Sequence, residues 1–142
     1  MPCTIQIAAA LPALPDELFD MYLDPELHAA ITGAPASIGT RAGAEFSAFD
    51  GGLEGKLLQV VPKRLIVQSW RASHWKPKDI DSTLILTFWP EGRGARIELI
   101  HANVADHDFT GVSEGWQIYY FAPWQEYLMK RKAEKKGKSK PR

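Results

Sequence analysis

The most aromatic pattern in the chain lies near its C-terminus, in residues 115–128. Trp116, Tyr120 and Trp124 recur at intervals of four residues, which is the spacing that places side chains on one face of an α-helix. The pattern predicts an amphipathic helix whose aromatic face covers an apolar surface. Pro123 lacks the N–H that would bond to the carbonyl four residues before it, so we expect a bend in mid-helix.

The N-terminal part predicts one strand followed by two short helices. Residues 4–10 alternate apolar and polar side chains, as a half-buried strand does. Pro15 with the acids that follow it is typical of a helix start, and Pro25 ends that helix and begins a second one. Gly33 marks the end of the second helix.

From residue 45 onward the apolar period changes from helical spacing to two, which predicts a series of strands. The glycine-rich and proline-containing segments between them are too short for crossover connections, so the strands must run antiparallel as a meander. The predicted strands span residues 45–49, 53–61, 65–71, 82–89 and 96–103.

These elements predict an α+β domain with a helix-grip architecture. A twisted antiparallel sheet of this size has one apolar concave face. The C-terminal helix is the remaining element that is long and apolar enough to cover that face. We therefore expect a curved sheet wrapped around the long helix, with the two short helices after the first strand.

Large aromatic side chains between the two layers favour an internal cavity, because they interdigitate imperfectly. In the strand at 65–71 we expect Trp70, Gln68 and Ile66 to face inward, and the opposite parity, with Leu65 and Val67 inward, stays open at this point. The expected cavity residues are Phe46, Gln68, Trp70, Leu86, Phe88, Leu99, His101, Trp116, Tyr120 and Trp124.

His101 has the most informative position among the polar residues, because it shares a strand face with Ile97 and Leu99. A lone histidine on an apolar face is more often a hydrogen-bonded core residue than a catalyst. The functional alternative is a polar anchor for a ligand head group. Asp106, His107 and Asp108 follow closely but indicate a polar loop before a helix, so no metal site, cofactor or catalytic residue is expected.

Composition changes the picture mainly through charge. The 142 residues carry no formal net charge, but residues 130–142 hold eight basic side chains against one acidic one, so that segment carries +7 and residues 1–129 carry −7. We expect one domain at 1–129 and a basic, disordered tail at 130–142. An acidic body disfavours nucleic-acid binding.

The lone Cys3 excludes an internal disulfide, and a cytoplasmic protein without a membrane span is expected.

Four segments together resemble one known family, and they occur in its order and spacing. They are FSAFDGGLEG at Phe46–Gly55, VPKRLIVQSWR at Val61–Arg71, IELIHANV at Ile97–Val104 and GWQIYYF at Gly115–Phe121. The chain is thereby similar, over residues 4–129, to the activator of heat-shock-protein-ninety ATPase (Aha-type) C-terminal domain and its bacterial single-domain homologues. That family lies within the SRPBCC (START-like) superfamily.

The resemblance implies a helix-grip fold and two kinds of function. Members of the superfamily hold small molecules between sheet and C-terminal helix, and the Aha-type relatives imply a chaperone partner. Related sequences commonly have glycine and proline where this one has Asn103, Val104 and Ala105, so we expect a differently shaped loop there.

Three functional hypotheses follow. The first is a non-enzymatic module that binds a small apolar or amphipathic ligand, as a monomer or homodimer. The alternative is a chaperone accessory or protein-interaction module. The third, a cyclase- or hydrolase-type enzyme, would need His101 with Gln68 or Tyr120 as its inward polar pair, and ranks last.

Overall fold

The computed structural model describes residues 2–139, with side chains described up to residue 134. It confirms the predicted α+β class: a seven-stranded, curved, antiparallel sheet packs around a long C-terminal helix in the helix-grip arrangement. No helix within residues 2–139 is both long and apolar enough to cross a membrane.

Residues 2–139 contain seven strands and four α-helices. The strands are β1 (Cys3–Leu11), β2 (Ser37–Ile38), β3 (Glu45–Ala48), β4 (Leu53–Val61), β5 (Leu65–Ala72), β6 (Ser82–Glu91) and β7 (Gly94–Val104). The helices are α1 (Pro15–Leu23), α2 (Pro25–Thr32), α3 (Phe109–Gly115) and α4 (Ala122–Ser139). A π-helical segment, Trp116–Phe121, joins α3 to α4. In the sheet the strand order is β1-β7-β6-β5-β4-β3-β2.

The two short helices follow the capping rules that predicted them. Pro15 and Pro25 lie in the first turns of α1 and α2, where a missing N–H costs no hydrogen bond. The Asp24 carboxylate caps α2 by accepting hydrogen bonds from two backbone N–H groups at its start, at 2.9 and 3.1 Å. Gly33 closes α2 with φ +80°, a conformation that glycine adopts without steric cost.

The meander is as predicted, with β3 to β7 antiparallel in sequence order and β1 added beside β7. One strand was missed: β2 is a two-residue segment, Ser37–Ile38, that pairs with Ser47 and Phe46. Two residues are too few to show a period, so a sequence pattern could not have distinguished β2 from a loop.

Strand β5 has the favoured parity. Ile66, Gln68 and Trp70 are buried, whereas Leu65 and Val67 are only half-buried on the other face. Because neighbouring strands are in register, Gln68 lies opposite Leu84 of β6. The inward face of the sheet is therefore apolar, with a small number of enclosed polar groups.

The C-terminal helix begins earlier than predicted, at Phe109 instead of near residue 115. Its aromatic stripe is buried as expected, through Trp116, Tyr120 and Trp124. The disturbance expected at Pro123 takes the form of the π-helical segment just before it. There the N–H of Ala122 bonds to the carbonyl five residues back, at Gln117. A π-turn accommodates a proline by shifting the hydrogen-bond register of the preceding backbone.

Helix α4 continues to Ser139 and so includes most of the basic segment 130–142. Arg131 in this helix forms an ion pair with Glu17 of α1. The division into a domain at 1–129 and a disordered tail stays a prediction, and residues 140–142 lie outside the described residues.

Candidate ligand-binding groove

A groove of about 390 Å³ lies between the sheet and the N-terminal half of the C-terminal helix. We call it the aromatic groove. One wall comes from the β3–β4 turn, β5 and the residues after it: Phe49, Gly52, Leu53, Trp70, Ala72 and His74. The other comes from the helix and the residue before it: Asp108, Gly111, Val112, Gly115, Trp116, Tyr119 and Tyr120. Tyr119 is 59% exposed, so the groove reaches the surface.

An unusual backbone turn presents Phe49 to the groove. Phe49, Asp50 and Gly51 all have positive φ, at 54°, 55° and 89°. Residues other than glycine, asparagine and aspartate rarely adopt this left-handed backbone conformation, which costs about 1–2 kcal/mol of conformational energy per residue. The Phe49 ring contacts Tyr119 at 6.1 Å and Tyr120 at 5.5 Å between centroids, in both cases edge to face. These ring contacts across the groove help to offset the backbone strain.

His101 is a fully satisfied core residue on the sheet side of this region. The hydroxyl of Ser82 donates to the carbonyl of Trp70 at 2.6 Å, so its oxygen must accept the Nε2–H of His101 at 2.8 Å. The indole N–H of Trp116 donates to Nδ1 of His101 at 3.1 Å. Both ring nitrogens are therefore engaged, and the imidazole is neutral.

A second buried histidine, His28 of α2, links the helices. Its Nδ1 donates to the carbonyl of Tyr22 at 2.8 Å, and its Nε2 accepts the hydroxyl proton of Tyr120 at 2.8 Å. The Tyr22 hydroxyl in turn donates to the side-chain oxygen of Gln68 at 2.7 Å. These bonds tie α1, α2, β5 and the C-terminal helix together through groups that burial would otherwise leave unpaired.

Burial sets the protonation states of these groups. Loss of hydration lowers the pKa of His101 to about 3 and that of His28 to about 4. It also raises the pKa of Tyr120, and it raises the pKa of Tyr22 with a further contribution from Tyr120. All four groups are neutral at physiological pH. His101, Gln68 and Tyr120 each form hydrogen bonds to neighbouring side chains of the core.

Asp108 supplies the charged part of the groove lining. Its Oδ2 accepts the indole N–H of Trp75 at 2.8 Å and the Nε2–H of His74 at 3.0 Å. Asp108 stands at the start of α3, but its carboxylate makes no capping hydrogen bond. Nearby, Nε2 of His107 bonds to Asp79 at 2.7 Å. The carboxylates of Asp108 and Asp79 therefore hold the β5–β6 connection against the start of the helix.

One buried hydrogen-bond donor among the groove-lining residues is unpaired. The indole N–H of Trp70 is buried and has no acceptor among the described residues. Its ring packs against Trp75 and His101, at 5.5 and 4.7 Å between centroids. A buried donor without an acceptor costs about 1–3 kcal/mol.

All ten residues expected in a cavity are buried, but they divide into two sets. Trp70, Trp116 and Tyr120 line the aromatic groove. The others pack in the core and do not line it: Phe46, Gln68, Leu86, Phe88, Leu99, His101 and Trp124. The open space therefore lies towards one end of the helix, beside the β3–β4 turn.

The sequence pattern missed several lining residues, among them Phe49, His74, Asp108 and Tyr119. The alternating pattern places Phe49 at the end of a predicted strand, and Tyr119 lies off the buried stripe of the helix. His28 was missed as a core residue, although it lies three residues before buried Ile31 on α2, which is a detectable helical spacing. The loop positions His74 and Asp108 carried no comparable signal.

Comparison with known sequences agrees with the resemblance noted above. The human "Activator of 90 kDa heat shock protein ATPase homolog 1" is 29% identical over 119 residues, which cover 84% of this chain and 35% of the human protein. An uncharacterised protein of Schizosaccharomyces pombe is 32% identical over 108 residues, covering 76% of this chain and 32% of that protein. The chain thus spans about a third of the length of the curated relatives it matches.

Comparison with solved structures agrees with the fold. The crystal structure of PFC0360w, an HSP90 activator from Plasmodium falciparum, superposes with a TM-score of 0.75 at 19% sequence identity. The match covers 89% of this chain and 95% of that one. A sequence profile described as "Activator of Hsp90 ATPase homolog 1-like protein" matches residues 12–128. The chain therefore belongs to the family of Activator of Hsp90 ATPase homolog 1-like proteins.

Proposed function

We propose that this protein is a non-enzymatic binding module that holds a small, largely apolar molecule in the aromatic groove. The observation that carries the proposal is the groove itself: about 390 Å³ of open space bounded by the rings of Phe49, Trp70, Trp116, Tyr119 and Tyr120. Pockets for small molecules usually have about 300–1,000 Å³ and predominantly apolar, aromatic walls. The aromatic groove is at the small end of that range.

The surroundings of the groove support a preformed site. Trp116 is held by its hydrogen bond to His101, and Tyr120 by its hydrogen bond to His28. These two rings of the helix wall are held in place before any ligand arrives, so binding costs little ordering of side chains.

The test uses N-phenyl-1-naphthylamine, a neutral probe whose fluorescence rises in apolar surroundings. Titration of the probe into a constant concentration of protein should show saturable binding of one probe per chain. Gly115→Leu should abolish probe binding, because Gly115 lines the groove and a leucine side chain there would occupy groove volume. The fold should accept the substitution, since the added Cβ would lie 3.5 Å from Tyr119 in ordinary van der Waals contact. The substitution suits a helix, since glycine costs about 1 kcal/mol relative to good helix formers.

Gln117→Leu is the matched control, since it adds the same side chain to an exposed position of the helix that does not line the groove. It should bind the probe as the wild type does. Equal binding by wild type, Gly115→Leu and Gln117→Leu would refute the groove as the site, and absence of saturable binding to the wild type would refute the proposal.

The family match favours a second function, a contact with a 90 kDa heat-shock protein. The basis is the human relative, whose name describes activation of that chaperone's ATPase and which shares 35% of its length with this chain. Calorimetric titration of the chaperone with this protein tests the idea. Because residues 130–142 carry +7 against an acidic body, deletion of residues 132–142 should weaken this contact and leave probe binding intact. Absence of heat at high concentrations of both proteins would contradict it.

A further inference from the structure

The aromatic groove has an uneven charge. Asp108 and His74 line it, together with Tyr119 and Tyr120, and no lysine or arginine is among the lining residues. Asp108 supplies the one carboxylate of the lining, and Nε2 of His74 lies 3.0 Å from it. The Asp108 side chain is only 17% exposed, so water screens its charge less than it would at an open surface.

The carboxylate of Asp108 has one oxygen to spare. Both of its hydrogen bonds, from Trp75 and His74, end on Oδ2. Oδ1 has no hydrogen-bond partner among the described residues. It lies against Gly111, where a Cβ would come within 2.5 Å of it. The absence of a side chain at Gly111 therefore keeps the space beside Oδ1 open towards the groove.

The rings of the groove provide a second attraction for positive charge. An aromatic face is electronegative, and a cation within about 6 Å of a ring centroid gains about 0.5–2 kcal/mol. Phe49 stands at 76° to Tyr119 and at 87° to Tyr120. The rings of Trp70 and Trp116 line the same groove, so a cation held there lies among several aromatic rings.

We propose that the molecule held in the aromatic groove is an apolar cation: an ammonium group on a small aromatic or branched alkyl body. The ammonium lies near Oδ1 of Asp108 and the ring faces, and the apolar body packs against Leu53, Ala72 and Val112. This inference rests on the proposed function, because it names the chemical class of the ligand for that same site. It goes further in requiring that charge decide which apolar molecules bind.

The test compares three probes of similar size by displacement of N-phenyl-1-naphthylamine: benzyltrimethylammonium, its neutral isostere neopentylbenzene, and the anion 3-phenylpropionate. The cation should bind at least about fivefold more tightly than the neutral isostere, and the anion most weakly. Asp108→Asn should remove most of the preference for the cation, measured within that variant as the ratio of the affinities for benzyltrimethylammonium and neopentylbenzene. Glu114→Gln removes a carboxylate from an exposed position of the same helix, and should change neither affinity.

A second measurement avoids dependence on the folding of any variant. In the wild type, added salt should weaken binding of the cation and leave neopentylbenzene unaffected, because only the charged probe is attracted electrostatically. Equal affinities for cation and neutral isostere, or no effect of Asp108→Asn with the fold intact, would overturn the inference while the groove remained a binding site. Failure of N-phenyl-1-naphthylamine itself to bind would overturn the inference and the proposed function together.

Discussion

Mild acid should destabilise this protein strongly, because His28 and His101 are buried in their neutral forms. Burial lowers their pKa values to about 4 and about 3, whereas a histidine in the unfolded chain titrates near about 6.5. Above that value neither state binds the protons and the two histidines add no pH dependence. As the pH falls below it, the unfolded chain takes up protons that the folded one excludes, so stability is lost on acidification.

The magnitude follows from the two pKa differences. Each histidine lowers the free energy of unfolding by about 1.4 kcal/mol for every pH unit between its unfolded and folded pKa values. At about pH 5 the loss relative to about pH 7 is about 2 kcal/mol per histidine and about 4 kcal/mol for the pair. That is a large part of the about 5–15 kcal/mol by which a typical domain is stable.

Urea unfolding followed by circular dichroism at several pH values between about 4.5 and 7 measures this slope. His101→Gln should halve it, because one of the two titrating groups is removed. Ser82→Ala is the control: it removes the acceptor of the His101 Nε2–H bond, lowering stability at every pH without removing a titrating group. Asp79, whose pKa the bond from His107 lowers, acts below about pH 4 and leaves this window undisturbed. A stability that stays constant or rises as the pH falls would refute the reasoning.

Three further outcomes are expected. Gly55→Ala should cost about 1–3 kcal/mol in urea unfolding, because its Cβ would lie 1.9 Å from the carbonyl oxygen of Ser69; a loss below about 0.5 kcal/mol would contradict that contact. Trp116→Phe should cost about 1–3 kcal/mol, since it leaves Nδ1 of His101 without its donor, and an unchanged unfolding midpoint would contradict that bond. Deletion of residues 132–142 should leave the thermal midpoint nearly unchanged, because 132–134 are exposed; a large drop would mean that the segment docks on the domain.

Much of the fold could be predicted from the sequence because local signals specify it. Proline at a helix start, glycine at a helix end and alternation in a strand act through the backbone of a few neighbouring residues. The same holds for the buried stripe at Trp116, Tyr120 and Trp124, since a period of about 3.6 residues determines which side chains share a face. The start of the C-terminal helix at Phe109 was missed because the residues before the stripe, such as Gly111, carry little periodic signal.

The sequence by itself thus determined the class of the fold, most of the strands and which faces are buried. Only the tertiary structure decided which buried residues meet and where space remains. Tyr120 bonds to His28, 92 positions away, and Asp108 bonds to Trp75, 33 positions away. Such pairs depend on how the layers stack, which no local period encodes. A groove is the volume that side chains from several elements fail to fill, so it is fixed only when all of them are in place.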